Sequence, residues 1–312
     1  MSPGAARTVR AGRRTVEVHR PDKVLFPARE GQPRLTKGDL VDYYRCVAPH
    51  LLPQLRGRPL MLERRPDGID GSGAFMQKNT PDHYPDWVRR VELPKEGGTV
   101  RHTVCDDTAT LLYLVDQAAL TLHRWLSRAD RPDRPDRMVF DLDPGTDDFE
   151  TVREAARLLG ELLDSLRLPS APMTTGSRGL HVVVPLRRGP DFDEVRDFAH
   201  HVAGTLAAAH PGRFTTAARK KDRGDRLYLD VQRNGYAQTA VAPWTVRAAP
   251  GAPVAAPFAW EQLDDPALHA RRWTVADAVE QARTDPWEGL LSRPRALGPA
   301  RRRLAALSGR PV

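Results

Sequence analysis

Met138-Val-Phe-Asp-Leu-Asp-Pro144 is the stretch on which the reading of this chain turns. Its residues alternate as in a strand, where successive side chains point to opposite faces. Val139, Asp141 and Asp143 then share one face, while Met138, Phe140 and Leu142 press into a core. Two carboxylates side by side repel each other unless a cation lies between them or one takes up a proton. Oxygen ligands of this kind suit Mg2+ or Mn2+ rather than zinc. Taken alone, the same residues also describe a strand that runs out into solvent before a proline turn, and such aspartate pairs serve phosphatases and other metal enzymes.

A second strand is predicted at Arg226-Leu-Tyr-Leu-Asp-Val231, with Tyr228 and Asp230 facing away from Leu227, Leu229 and Val231. A lone aspartate in an apolar run needs a partner, because an unpaired buried charge is costly. If the two strands are neighbours, Asp230 completes a three-carboxylate site of the sort that holds two metal ions for phosphoryl transfer. A nearby arginine is the plainer alternative. Between them lies Thr174-Thr-Gly-Ser-Arg-Gly-Leu-His-Val182, where two glycines let the backbone approach a ligand and hydroxyls and N–H groups can cradle oxyanions. Arg178 adds a charged fork for phosphate, and His181 opens the next strand. The segment lacks the Gly-Lys-Ser/Thr ending of a Walker loop, and no Gly-x-Gly-x-x-Gly fingerprint occurs.

Further out, strands at 137–142, 180–186 and 226–231 alternate with helices at 149–166 and 192–209. Val152, Ala156, Leu159 and Leu163 form the apolar stripe of the first helix. Such alternation argues for helices packed on a central sheet, an α/β (α+β) architecture. Thr36 with Asp39 forms a capping-box pattern for a helix to about residue 55. Short strands and turns are expected over 56–104, a second helix over 107–127 with His123 near its end, and a surface loop over 128–137. Residues 1–15 read as a disordered basic arm, 248–257 as a Pro/Ala connector, and 291–312 as a flexible basic tail that contributes salt-sensitive DNA affinity through Arg301 to Arg303.

Composition narrows the class. Hydrophobic residues make up 40% of the 312, suited to a globular chain. No stretch offers the roughly 18 apolar residues of a membrane span, and no secretion signal opens the chain, so a cytoplasmic, nucleoid-associated protein is expected. Cys46 and Cys105 are far apart, which gives no disulfide framework and no zinc site; both are expected to be half-buried thiols. The 48 basic residues against 40 acidic ones give +8, pointing weakly to polyanionic partners. Only six of the 48 are lysine.

Asp-Leu-Asp-Pro, Thr-Gly-Ser-Arg-Gly-Leu-His and Leu-Asp-Val-Gln-Arg-Asn, in that order, resemble the polymerase domain of bacterial ligase D, in the archaeo-eukaryotic primase superfamily. Arg20-Pro-Asp-Lys-Val-Leu-Phe-Pro27 and Gln238-Thr-Ala-Val-Ala-Pro243 extend the resemblance over about 17–290. It implies a primase-polymerase fold over 16–290, with two sheet-containing modules and the active site in the cleft between them. It implies that Asp141, Asp143 and Asp230 bind two Mn2+ (or Mg2+) ions and are the catalytic residues. Thr175, Ser177, Arg178, His181, His123 and Arg247 match contacts to the incoming NTP or dNTP. Lys23 and Lys37 match the grip on a DNA 5′-phosphate, and Phe75 and Met76 the pair against template bases. Met76 departs from the family's usual aromatic, and Arg20 stands where asparagine is common.

The implied function is template-directed gap filling and end extension in non-homologous end joining, with ribonucleotides preferred. No Lys-x-Asp-Gly is present, so a separate ATP-dependent ligase and the Ku protein are the expected partners of a stand-alone, monomeric polymerase. The alternatives are a primase that starts chains de novo, an inactive DNA-end scaffold, and a metal-dependent phosphatase or nuclease.

Overall fold

The computed structural model describes residues 6–307. The chain divides into two compact units, each assembled from three segments. Met1–Trp125, Val241–Ala256 and Trp273–Thr284 form the first; Leu126–Ala240, Pro257–Arg272 and Asp285–Val312 form the second.

The second unit is built on a five-stranded sheet in the order Ala171–Thr174, Leu180–Pro185, Arg137–Asp143, Leu227–Asp230, Phe214–Thr215. Its central strand is the one that carries Asp141 and Asp143. Met138, Phe140 and Leu142 are fully buried, as strand alternation predicts. Helices Phe149–Ser165 and Phe192–Ala209 pack on this sheet and on each other. Val152, Ala156, Leu159 and Leu163 of the first, and Val195, Phe198 and Val202 of the second, are buried. Asp148 caps the first helix, and an Asp191–Glu194 capping box opens the second.

The first unit centres on three neighbouring strands in the order Ala119–Trp125, Leu60–Arg64, Phe75–Gln77. Helix Lys37–Leu55 starts at the expected Thr36–Asp39 capping box. The fully buried Tyr44 on that helix donates its hydroxyl to Leu120 O at 2.7 Å and accepts from Val246 N.

Five expectations are corrected. The predicted helix over 107–127 ends at Asp116, and Ala118 turns the chain at φ 58 into strand Ala119–Trp125, so His123 lies on a strand. An unbroken apolar run fits a buried strand as well as a helix, and Ala119, Leu120, Thr121 and Leu122 are all buried. The arm is ordered from residue 7. Arg7–Ala11 and Arg14–Val18 pair as an antiparallel hairpin whose Val9, Ala11, Val16 and Val18 are buried. Arg7 ties the hairpin to Asp42 by two hydrogen bonds of 2.8 and 2.7 Å. The tail contains helix Leu297–Leu307, held by buried Leu297, Ala300 and Leu304. Arg301 there is bonded to Glu194 O. The arm's first five residues and the tail's last five, 308–312, lie outside the described residues. The Pro/Ala connector is largely buried and includes strand Val254–Ala255. Neither cysteine is the half-buried thiol expected, since Cys46 is exposed and Cys105 fully buried. Among the described residues no helix is long and apolar enough to cross a membrane.

Candidate active site

The carboxylates are placed by strand register. Asp141 stands opposite His181 on one neighbouring strand and opposite Asp230 on the other. Directly opposed residues face the same side of a sheet, so His181, Asp141 and Asp230 form one row across three strands. Two residues along, Asp143 stands opposite Tyr228 on that same face. The expected neighbouring of the two aspartate strands is therefore observed.

Basic side chains gather on this face. His181 Nε2 lies 3.5 Å and Arg233 Nε 3.3 Å from Asp141 Oδ2. Arg178 donates to Asp143 Oδ1 at 2.9 Å and Arg223 to Asp143 Oδ2 at 3.0 Å. Arg223 is itself fixed, lying 3.9 Å from the centre of the Tyr228 ring and donating to Ala217 O and Ala218 O. Burial pushes the Asp141 carboxyl up, but His181 and Arg233 outweigh it and hold the group below the usual carboxylate range. Asp230 goes the other way. Burial first, and then the charge of Asp141, raise it above its ordinary value, although Gln232 N donates to Asp230 Oδ1 at 2.7 Å.

A row of acidic groups that collects arginines, and in which one member resists ionising, is short of positive charge. Three carboxylates on one face also form the all-oxygen donor set that Mg2+ or Mn2+ takes. On chemistry the residues fit a divalent ion. As placed, with Asp143 held between two arginines, no group of three His, Cys, Asp or Glu among the described residues is arranged to hold one.

The polar loop abuts this face. Gly176 takes a left-handed φ of 64. Thr175 Oγ1 donates to Gly179 O at 2.9 Å, and Thr175 N bonds the same oxygen, which closes the loop on itself. A Cβ on Gly179 would lie 1.9 Å from Leu142 O, so the backbone at 179 sits flush against the Asp141 strand. Arg271 Nε braces the loop from outside through Ser177 O at 3.0 Å. Asp141, Asp143, Asp230, His181, Arg178, Ser177 and Thr175 thus belong to one constellation within the second unit.

The other six predicted residues belong to the first unit. Lys37, the first residue of its helix, is buried and donates through Nζ to Asp116 O at 2.8 Å and Oδ1 at 3.1 Å. Burial lowers its pKa despite the opposing pull of Asp116. Lys23 Nζ reaches Asp67 at 3.1 Å, and Lys37 N donates to Lys23 O at 2.9 Å, which links the two lysines through the main chain. Phe75 and Met76 are 46% and 47% exposed, and the Arg64 guanidinium lies 5.2 Å from the Phe75 ring centre. His123 stands opposite Met61, and Arg247 N donates to Pro253 O.

Sequence reasoning missed Arg223, Arg233, Asn234 and Asp116. Arg233 and Asn234 sit three and four residues beyond Asp230, in a motif that was legible, whereas Arg223 is one arginine among many. The fully buried Asn234 accepts from Val139 N at 2.9 Å through Oδ1 and donates to Val139 O and Val231 O at 2.7 and 2.9 Å.

A carboxylate row on the central strands of a mixed sheet, flanked by the closed loop at Thr175–Gly179, is the site of a nucleotidyltransferase of the primase-polymerase class. Residues 36–287 match the family model described as LigD, primase-polymerase domain, and the chain belongs to that family. It is similar to the solved polymerase domain from Mycobacterium tuberculosis ligase D in complex with DNA. That likeness has a TM-score of 0.82 and 32% identity, and covers 89% of this chain and 99% of the other. Among curated relatives, the multifunctional non-homologous end joining DNA repair protein LigD of M. tuberculosis is 34% identical over 83% of this chain and 34% of its own length. The bifunctional non-homologous end joining protein LigD of Bacillus subtilis is 35% identical, over 83% of this chain and 42% of its own length. The chain therefore spans well under half the length of these relatives.

Proposed function

We propose that the chain adds nucleotides, under template direction, to the 3′-OH of gapped or broken DNA during non-homologous end joining. The observation that carries this reading is the register that sets Asp230 opposite Asp141, beside the loop that Thr175 closes on Gly179. The names of the curated relatives and the DNA complex of the solved neighbour support it.

Each residue then has a task. Thr175, Ser177 and His181 receive the triphosphate of the incoming nucleotide, and Arg178 exchanges Asp143 for a phosphate oxygen as that group arrives. His123 and Arg247 are assigned to the same nucleotide's sugar and phosphates. Asp141, Asp143 and Asp230 would hold a pair of divalent ions, Mn2+ or Mg2+, that supply activation of the attacking oxygen and neutralisation of phosphate charge. Lys23 and Lys37 form the patch for the 5′-phosphate across the gap, and Phe75 and Met76 take template bases. A preference for ribonucleotides, and Ku and an ATP-dependent ligase as partners, complete the reading.

The test is gap filling on a duplex with a recessed 3′-OH and a downstream 5′-phosphate, with Mn2+ and either ribo- or deoxynucleotides. Templated addition by wild type and its loss in Asp141→Ala are expected. Absence of addition by wild-type protein that still binds the duplex would overturn the reading in favour of an end-binding scaffold.

A further inference from the structure

Asp116 is only 5% exposed, yet it is the meeting point of two cationic segments. Its Oδ1 accepts from His19 N at 2.7 Å and from Lys37 Nζ at 3.1 Å, while its Oδ2 lies 3.1 Å from His19 Nδ1. The turn that follows is pinned as well. Arg20 takes a left-handed φ of 49, Lys23 N donates to Arg20 O, and Gly38 N donates to Pro21 O. With Lys37 N on Lys23 O, these bonds hold His19, Arg20, Lys23 and Lys37 as one patch at the start of helix Lys37–Leu55.

Within that patch the roles are unequal. The Lys37 side chain is 6% exposed, with Nζ turned to Asp116. The His19 side chain is 63% exposed. A carboxylate can only accept, so the hydrogen between His19 and Asp116 is on Nδ1, and Nε2 lies on the far edge of an open ring.

We infer that His19 is a direct contact of the DNA 5′-phosphate, its ring held by Asp116 through Nδ1 so that Nε2 is turned to a phosphate oxygen. This rests on the reading of Lys23 and Lys37 as the 5′-phosphate patch. Asp116 fixes the ring and balances its charge, and Lys37 works from behind by holding Asp116 in place. A terminal phosphomonoester carries more charge than a diester within the strand, so such a cluster favours a phosphorylated end. The contact exists only in the charged form, because an imidazole whose one hydrogen is on Nδ1 can only accept at Nε2. The charged groups gathered at this turn are Asp116 from helix Thr108–Asp116, Lys37 from helix Lys37–Leu55, and Arg20 and Lys23 of the turn itself. Among these residue types, histidine is the one that changes charge between pH 5 and 8.

The experiment measures, by fluorescence anisotropy at fixed salt, the Kd of a gapped duplex with a 5′-phosphate or a 5′-hydroxyl on the downstream strand. The ratio of the two is compared for wild type, His19→Ala and Lys23→Ala at pH 6.5 and 8.0. In His19→Ala the preference for phosphate should fall about tenfold at pH 6.5, or about 1.4 kcal/mol, and much less at pH 8.0. The phosphate's own ionisation affects both proteins alike and cancels between them. A His19→Ala ratio equal to wild type, or a loss of the same size at both pH values, overturns the inference while a loss in Lys23→Ala keeps the patch. No preference in wild type overturns both, and leaves the polymerase reading to the separate addition assay.

Discussion

Replacing Asn234 with alanine should loosen the carboxylate row without touching a carboxylate. The Asp141 and Asp230 strands pair only over 141–143, and beyond Asp230 the chain turns into the short helix Gln232–Asn234. At Val139 the ladder would stop, but the Asn234 amide takes the place of the missing strand residue, accepting from Val139 N and donating to Val139 O. It also bonds Val231 O, which fixes the turn after Asp230. Asn234→Ala removes three buried hydrogen bonds and strands the main-chain groups that made them. At about 1–1.5 kcal/mol each, the loss comes to roughly 3–5 kcal/mol. Urea unfolding followed by circular dichroism measures this directly. At roughly 2 °C per kcal/mol for a chain of this size, Tm should fall by about 6–10 °C. Below the transition, gap filling should drop by about tenfold or more, because Asp141 and Asp230 lose their shared anchor. Asn234→Asp keeps the acceptor but turns a carboxylate on two carbonyl oxygens. Its folded-state pKa must rise, so the variant should be least stable at neutral pH and recover as the pH falls and the carboxyl protonates. A loss under about 1 kcal/mol with normal gap filling would refute the argument that this amide holds the register.

Two further predictions concern the frame around the site. Gly179→Ala places a methyl group against Leu142 O, a backbone atom of the Asp141 strand that cannot swing away. It should cost about 3 kcal/mol or more in urea unfolding and suppress gap filling as well; near-native stability would mean the loop does not lie flush on that strand. The Arg7 hydrogen bonds, and then its charge, outweigh partial burial and hold the Asp42 carboxyl below its ordinary value. A depressed folded-state pKa gives stability that is present above the unfolded value of about 4 and lost as pH falls through the folded one. The pair is partly exposed, so after screening its share is about 0.5 kcal/mol. Asp42→Asn should lose that share at pH 7 but not at pH 2.5, and an equal loss at both would refute the linkage.

The alternating strands and helices of the second unit were legible because periods of two and 3.6 differ sharply there. The carboxylates were legible for the same reason, since one strand period puts Asp141 and Asp143 on a common face. What surrounds them was not. Arg223 reaches Asp143 across 80 residues of chain, and no local pattern separates it from the other arginines. Asn234 acts on main-chain atoms, which leave no mark in a sequence. The strand that carries His123 looks helical in sequence because a run buried on both faces has no distinguishing period. The hairpin at the start is hidden because arginines and threonines mask the two-residue alternation of Val9, Ala11, Val16 and Val18.

The first unit is not a stretch of chain. It takes its opening 125 residues, leaves, returns for Val241–Ala256 and again for Trp273–Thr284. A ribosome making this protein from its N-terminus therefore cannot release a finished first unit early. The strand Ala119–Trp125 waits for the hydroxyl of Thr245, which receives Leu122 N at 2.9 Å, until more than a hundred further residues have been joined. The usual order, in which the N-terminal domain folds while the rest is still being made, is closed to this topology. By the same logic no single cut frees either unit intact, and shortening the gene from the 3′ end past residue 284 strips material from both.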